Sequence, residues 1–213
     1  GYHPNSKSLI WVIVLKEDQM VLSLRDIALI TQPTRRLMVF ADGENLVFRF
    51  QDMIESGTMQ RTNELYIKDV CVWRSGFTRL VTQNQILRAT YYTSATGDDE
   101  TLVKYRNEIR NADFEKHYGL SILPGKLTPC IFKKDRRTRK TKGVDIQLCV
   151  DMLGHVSRGN VDSVLLLSGD GDYAPLLAEV RRAGVHVYVG AFSSGFSEKL
   201  KEHADLSFDL DTI

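Results

Sequence analysis

From Leu37 onward, short β-rich runs alternate with amphipathic stretches of helix length, and that alternation restricts the chain to a parallel sheet covered by helices. Strands are expected at residues 37–41, 87–94, 127–132, 164–167 and 185–191, and helices at 44–56, 98–118, 144–156, 173–183 and 197–203. Residues 66–78 fit neither pattern cleanly. The run at 164–167 is apolar throughout, as a strand buried on both faces must be. Punctuation agrees with these bounds. Gly57 and Gly119 close two helices, Asp98-Asp99-Glu100 suits a helix N-terminus, Pro175 falls in a first turn and Gly184 stands just past a helix end.

A chain of 213 residues holds one domain with a proper core. Residues 37–213 are read as that domain and residues 1–36 as an N-terminal extension of open role, with the boundary near Gln32-Pro33-Thr34. Inside the extension, residues 9–15 and 20–24 read either as a hairpin added to the sheet edge or as a dimerisation arm, which leaves a homodimer open. The run at 9–15 is well short of the roughly 20 apolar residues of a membrane span, and no small-residue cleavage site follows it. A soluble protein with no membrane partner is expected. Cys71, Cys130 and Cys149 are odd in number, lack metal or redox spacing and sit in apolar runs, so they read as reduced core thiols of a cytoplasmic protein. With 28 Lys+Arg against 27 Asp+Glu the net charge is +1, which excludes a general polycation; any nucleic-acid footprint is local.

Two of the expected strands end in acidic turns, Ala41-Asp42-Gly43-Glu44-Asn45 and Ser168-Gly169-Asp170-Gly171-Asp172-Tyr173. Loops leaving the carboxyl ends of parallel strands build the ligand site, so both turns belong to one edge. A third acid comes from a helix. At about 100° per residue, Asp145 shares a stripe with Cys149, Met152, Leu153 and Val156, whereas Asp151 points roughly 120° away. A helix that follows a parallel strand starts at that strand's carboxyl end, which delivers Asp145 to the edge of Asp42 and Asp170. Carboxylates gathered without cations raise one another's pKa at a cost in stability, and a divalent cation relieves it. Oxygen donors with no His or Cys at zinc spacing point to Mg²⁺ or Mn²⁺, whose chemistry includes water attack on a phosphodiester. Three of the acids also have a plain reading: Asp42 as turn chemistry, Asp172 and Asp145 as helix caps.

Lys133, Lys134, Arg136, Arg137, Arg139, Lys140 and Lys142 put seven positive charges in ten residues, in the loop between a strand end and the helix of Asp145. A charge run is commonly a solvated loop; placed over the acidic edge, this one is a candidate grip on phosphates. Ser168 and the amides opening the helix at Tyr173 are candidates for holding a phosphate oxygen, or simply for capping. Tyr92, Tyr173 and Phe196 are candidates for stacking on bases, or for filling the core. The five histidines are scattered and offer no metal pair.

The set Phe40-Ala41-Asp42-Gly43-x-Asn45, then Lys142-Gly143-Val144-Asp145 with Leu148 and Asp151, then Leu167-Ser168-Gly169-Asp170-Gly171-Asp172-Tyr173 with Pro175 and Leu176, resembles the NYN domain family. The tail from Gly184 through Ser197, Leu200, Ala204-Asp205 and Phe208 follows the same pattern, and the bacterial LabA-like (DUF88) branch of the PIN-like nuclease superfamily is the nearest in character. The resemblance spans about residues 37 to 210. It implies a PIN-like three-layer α/β fold, a five-stranded, mainly parallel central sheet between helices, and Mg²⁺- or Mn²⁺-dependent ribonuclease activity on single-stranded or structured RNA. It makes Asp42, Asp145 and Asp170 the expected metal ligands, with Asn45 orienting ligand or phosphate and Asp172 a ligand or outer-shell acid. Asp151 and Asp205 also match family positions. Two other readings stand beside it: a regulatory module that binds RNA or protein without cutting, and a phosphohydrolase for small phosphate esters.

Overall fold

The computed structural model describes residues 35–81, 84–118, 121–134 and 143–213. The expected N-terminal hairpin or arm, Gly119, and Arg136, Arg137, Arg139, Lys140 and Lys142 lie outside the described residues.

The chain runs through β1 (Arg35–Asp42), α1 (Gly43–Glu55), β2 (Leu65–Ile67), β3 (Cys71–Trp73), β4 (Asn84–Ala95), α2 (Asp99–Asn111), β5 (Asp113–Tyr118), β6 (Ser121–Lys126), β7 (Thr128–Lys133), α3 (Val144–Ser157), β8 (Ser163–Leu167), α4 (Ala174–Arg182), β9 (His186–Ala191), α5 (Glu198–Lys201) and β10 (Leu206–Asp209). Six strands form one parallel sheet in the order β10-β9-β8-β1-β4-β7. Helices cover both faces, as expected of an α/β chain. Residues of β1 alternate between the two cores: Leu37, Val39 and Ala41 join one with Leu46 and Phe50 of α1, while Met38 and Phe40 join the other with Leu148 of α3 and Leu177 of α4. A central strand buried on both sides is the physical meaning of its unbroken apolar run.

The sheet has a sixth strand beyond the five that the resemblance implies. β10 adds to β9 at the edge, and it fits because residue 190 is glycine: a Cβ there would lie 2.7 Å from the Phe208 ring.

Two readings of the sequence need correction. The helix expected at 98–118 stops at Asn111, and the remainder turns into a two-stranded hairpin, β5 with β6. Tertiary partners capture the backbone there. Trp73 Nε1 donates to the Asp113 carbonyl at 2.8 Å, Thr78 Oγ1 donates to that of Glu115 at 2.8 Å, and Leu127 N donates to that of Ala112 at 3.1 Å. Along α3 the buried stripe is Val144, Leu148 and Met152, whereas Leu153 is 37% exposed. Asp145 and Asp151 therefore flank that stripe, each about 60° from its centre. Among the described residues no helix is long and apolar enough to cross a membrane.

Candidate metal and phosphodiester site

β1 and β8 are neighbours in the sheet, with Ala41 opposite Leu167, and the chain order reverses between them. From β1 the strands spread through β4 to β7; from β8 they spread the other way through β9 to β10. Such a switch point leaves a crevice at the carboxyl ends of the two strands, because their loops part to opposite sides. Asp42 ends β1 and Ser168-Gly169-Asp170 follows β8, so the crevice is floored by the two acidic turns.

Hydrogen bonds tie those turns together. Ser168 Oγ donates to Asp42 Oδ2 at 2.8 Å and accepts from Asp170 N at 3.1 Å, while Gly169 N donates to Asn45 Oδ1 at 2.9 Å. Asp42 Oδ1 also accepts from Asn45 N at 3.2 Å, so Asp42 caps α1 as well as facing the site. Asp170 caps the short 3-10 turn before α4 by accepting from Asp172 N at 3.0 Å. α4 itself starts at Ala174 with Tyr173 at its N-cap and no side-chain cap, so Asp172 does not cap it. Two glycines make the approach possible. A Cβ at 43 would collide with the Tyr91 ring and lie 2.7 Å from the Tyr92 carbonyl, and one at 169 would collide with the Gly195 carbonyl.

Asp145 is not a cap either. The N-cap of α3 is Gly143, and Asp145 is the second residue of the helix's first turn, where its Oδ1 accepts from Tyr173 Oη at 3.2 Å. Tyr173 is 4% exposed, and burial together with the charges of Asp42 and Asp145 pushes its hydroxyl far above the usual tyrosine range, so it stays a donor.

Asp42 is 3% exposed, and burial drives its carboxyl up to about 7. The Asn45 amide and Ser168 hydroxyl pull it back in part; the charges of Asp145 and Asp170 push it further up. Asp145 is also raised, first by burial and then, against the Tyr173 bond, by Glu44, Asp170 and Asp172. Among the described residues no lysine, arginine or histidine pairs with Asp42, Asp145, Asp170 or Asp172. Among the described residues these four acids therefore form a cluster without a cationic partner.

The donor chemistry suits a hard divalent ion, since every candidate is an oxygen and the buried carboxylate is destabilised as an anion. The spacing is open: among the described residues no three His, Cys, Asp or Glu side chains stand close enough to enclose an ion. Mg²⁺ tolerates such an arrangement, because it keeps several waters and commonly takes one or two protein carboxylates.

Other expected residues lie as follows. Lys134 meets the site through Glu44, Nζ to Oε1 at 3.2 Å, but Lys133 turns outward to Asp99 at 2.8 Å. Ser168 is fully buried with its hydroxyl engaged twice, so in place of a phosphate contact it is the tie between turns. Tyr92 is 1% exposed, packs on Phe40 and donates to Asp151 at 2.9 Å, which makes it and Tyr173 core residues and not stacking platforms. Phe196 is partly exposed beside the Asp170 turn, with Lys201 over its ring. Asp151 has both oxygens engaged, one by Tyr92 and the other by Gln147 Nε2 at 2.8 Å. Asp205 accepts from Val187 N at 2.8 Å, near the amino end of β9.

Two residues were missed. Glu44 opens α1, accepts from the Ser94 hydroxyl and adds its charge to the field at Asp145. Arg49, one turn past Asn45, lines a cleft of about 470 Å³ next to Asp170. Glu44 was visible as the middle of Asp42-Gly43-Glu44-Asn45; Arg49 carried no local signal beyond its spacing of four from Asn45.

Comparison with known proteins adds the family. A crystal structure of a protein of unknown function from Vibrio parahaemolyticus superposes with a TM-score of 0.58 at 18% identity, covering 85% of this chain and 97% of that one, which shows a shared fold. A putative oxidoreductase from Parabacteroides merdae covers 82% of this chain and 31% of its own at 11% identity, with a TM-score of 0.30 that carries no argument. A comparison with curated protein sequences finds no match. The NYN domain, whose family is generally one of nucleases in the PIN-like superfamily, matches residues 36–211, a span that takes in β1, β10 and every acidic turn between them. On that match the chain belongs to the NYN domain family.

Proposed function

We propose that this protein is a Mg²⁺- or Mn²⁺-dependent endoribonuclease that hydrolyses RNA phosphodiesters at the crevice between β1 and β8. The observation that carries the reading is the acidic cluster: Asp42, buried and raised to about 7, lies among the charges of Asp145 and Asp170 with no cationic partner among the described residues. A purely binding surface for a polyanion gains nothing from such a cluster. A bound divalent ion supplies the Lewis acidity that activates a water and steadies charge on the phosphoryl oxygens.

The chain's own residues prepare that chemistry. Asp42, Asp145 and Asp170 would hold the ion, directly or through its waters, with Asp172 and Glu44 adding negative charge around it. Ser168 and Asn45 fix the two turns against each other, so Asp42 and Asp170 keep their separation as substrate arrives. Tyr173 fixes one oxygen of Asp145, and among the described residues the other accepts no hydrogen bond. Lys134, beside Glu44, is placed to meet a phosphate, and the charges from Arg136 to Lys142 are its proposed continuation.

The test is cleavage of an end-labelled single-stranded RNA with Mg²⁺ or Mn²⁺, set beside EDTA, a DNA of the same sequence and the variant Asp170→Asn. Asparagine keeps the cap that Asp170 makes and removes only its charge. Cleavage should vanish in EDTA and fall at least about a hundredfold in the variant, on the scale of losing a preorganised electrostatic group. Cleavage that survives both would remove the assignment, and RNA binding without cleavage would favour a regulatory module.

A further inference from the structure

We propose that the cleft beside Asp170 is a second phosphate subsite, in which the guanidinium of Arg49 holds the phosphate next to the one being cut. The substrate is then a polynucleotide strand lying along α1, and not an isolated phosphate ester. This rests on the nuclease reading above and deepens it.

The cleft, about 470 Å³, lies between the first turns of α1, the Asp170 turn and the loop at 193–197, with Asn45, Arg49, Asp170, Ser194 and Ser197 on its walls. Asn45 and Arg49 are four apart on α1 and so share a face. Among the described residues Arg49 has no acidic partner; its one hydrogen bond is a long one, Nη1 to the Ser194 carbonyl at 3.4 Å, and its buried Nε has none. A guanidinium kept for structure pairs with a carboxylate or fills its donors, because an unsatisfied buried donor costs stability. Arg49 does neither, although it lies in the same cleft as Asp170, which among the described residues has no cationic partner.

What separates them is backbone. A Cβ at Gly169 would collide with the Gly195 carbonyl, and a Cβ at Gly195 would collide with the Arg49 side chain. Gly169, next to Asp170, and Arg49 therefore both lie close against Gly195. The loop is also anchored: Ser193 N donates to Asp211 Oδ1 at 3.0 Å, and the Ser193 hydroxyl donates to the other oxygen of Asp211.

A phosphate suits the Arg49 end. The planar guanidinium fork matches two phosphate oxygens, and the hydroxyls of Ser194 and Ser197, which have no hydrogen-bond partner among the described residues, line the same space. The carboxylate of Asp170 repels a phosphate from its own end. Phe48, 61% exposed, lies under the guanidinium at 5.3 Å from ring centroid to Cζ and steadies its plane. A small phosphate ester at the acidic edge would leave Arg49 unused; a strand would engage both ends.

Arg49→Gln and Arg49→Lys test this with two substrates, a dinucleotide holding one phosphodiester and a single-stranded RNA of ten nucleotides. For Arg49→Gln, kcat/KM on the ten-mer should fall about ten- to a hundredfold while the dinucleotide changes less than twofold, and Arg49→Lys should fall in between because it keeps charge without the fork. The slope of log affinity against log salt for the ten-mer should shrink by about one. Equal losses on both substrates, no loss on either, or an Arg49-dependent affinity for a nucleoside monophosphate as strong as for the ten-mer would each overturn the subsite. If the unaltered protein cuts neither substrate, the nuclease reading fails on its own. Fluorescence anisotropy of the labelled ten-mer then decides the subsite separately, with an unchanged affinity and salt slope in Arg49→Gln overturning it.

Discussion

The hydroxyl of Ser168 donates to Oδ2 of Asp42 at 2.8 Å, across 126 residues of sequence, and so pins the end of β8 to the end of β1. Both groups are buried, which makes the bond costly to lose. Ser168→Ala leaves an unfilled carboxylate oxygen and removes the acceptor for the Asp170 amide. Chemical denaturation should show a loss of about 1–3 kcal/mol. A variant as stable as the parent would mean that the two turns are held by other means.

Asp42 sets a pH dependence whose sign is the reverse of the usual one for a carboxylate. Its folded-state value, about 7, lies above the ordinary 3.8, so the folded protein keeps this proton longer than the unfolded chain does. Metal-free protein should therefore be most stable below about pH 4 as far as this group is concerned, and should lose that contribution as pH rises to about 7, up to roughly 4 kcal/mol. Denaturation midpoints across this window in EDTA measure it, and Asp42→Asn should flatten the curve. Mn²⁺ should restore stability at pH 7.5 in the parent and far less in the variant.

Much of this site was legible before the fold was known, for identifiable reasons. An Asp after each of two apolar strands must share an edge if the strands are parallel, so Asp42 and Asp170 follow from topology alone, and Asp145 joins them because it stands in the first turn of a helix that starts at that edge and not because of helix phase, which sets Asp145 and Asp151 equally far from the buried stripe. What failed was anything decided by a tertiary partner. The segment from Ala112 to Tyr118 has the polarity of a helix, yet Trp73 and Thr78 take its carbonyls and Phe114 is buried, so it pairs as β5. The stripe of Asp145, Cys149, Met152, Leu153 and Val156 differs from the buried one because apolar identity does not report which side of α3 the sheet lies on; Val144, Leu148 and Met152 mark that side. Arg49 was invisible because its meaning comes from Gly195, 146 residues away in sequence.

Tyr173→Phe isolates the contact to Asp145. The ring stays in its core, so stability should change by no more than about 1 kcal/mol. Asp145 loses its only fixed donor among the described residues, and an outer-shell loss of that kind commonly costs 10- to 100-fold in metal affinity or activity. The expected result is reduced affinity for Mn²⁺ with a near-parental melting curve; unchanged affinity would show that the ion does not depend on how Asp145 is held.

Gly43→Ala tests the packing that lets Asp42 sit where it does. The new methyl meets the Tyr91 ring and the Tyr92 carbonyl, both buried in β4, and neither can retreat without moving the strand. Overpacking of this kind costs about 1–3 kcal/mol, and more where backbone must shift. Thermal unfolding should record the loss. A neutral result would mean that α1 can slide away from β4 without penalty.

The proposed chemistry depends on a divalent cation at the carboxyl edge of β1 and β8. The most direct measurement is anomalous scattering from crystals soaked in Mn²⁺. One or two peaks are expected between the carboxylates of Asp42, Asp145 and Asp170, absent in Asp42→Asn and Asp170→Asn crystals treated alike. Ordered acidic side chains with no peak at saturating Mn²⁺, or with Arg136, Arg137 or another basic-loop side chain lying across them in place of an ion, would contradict the cation site.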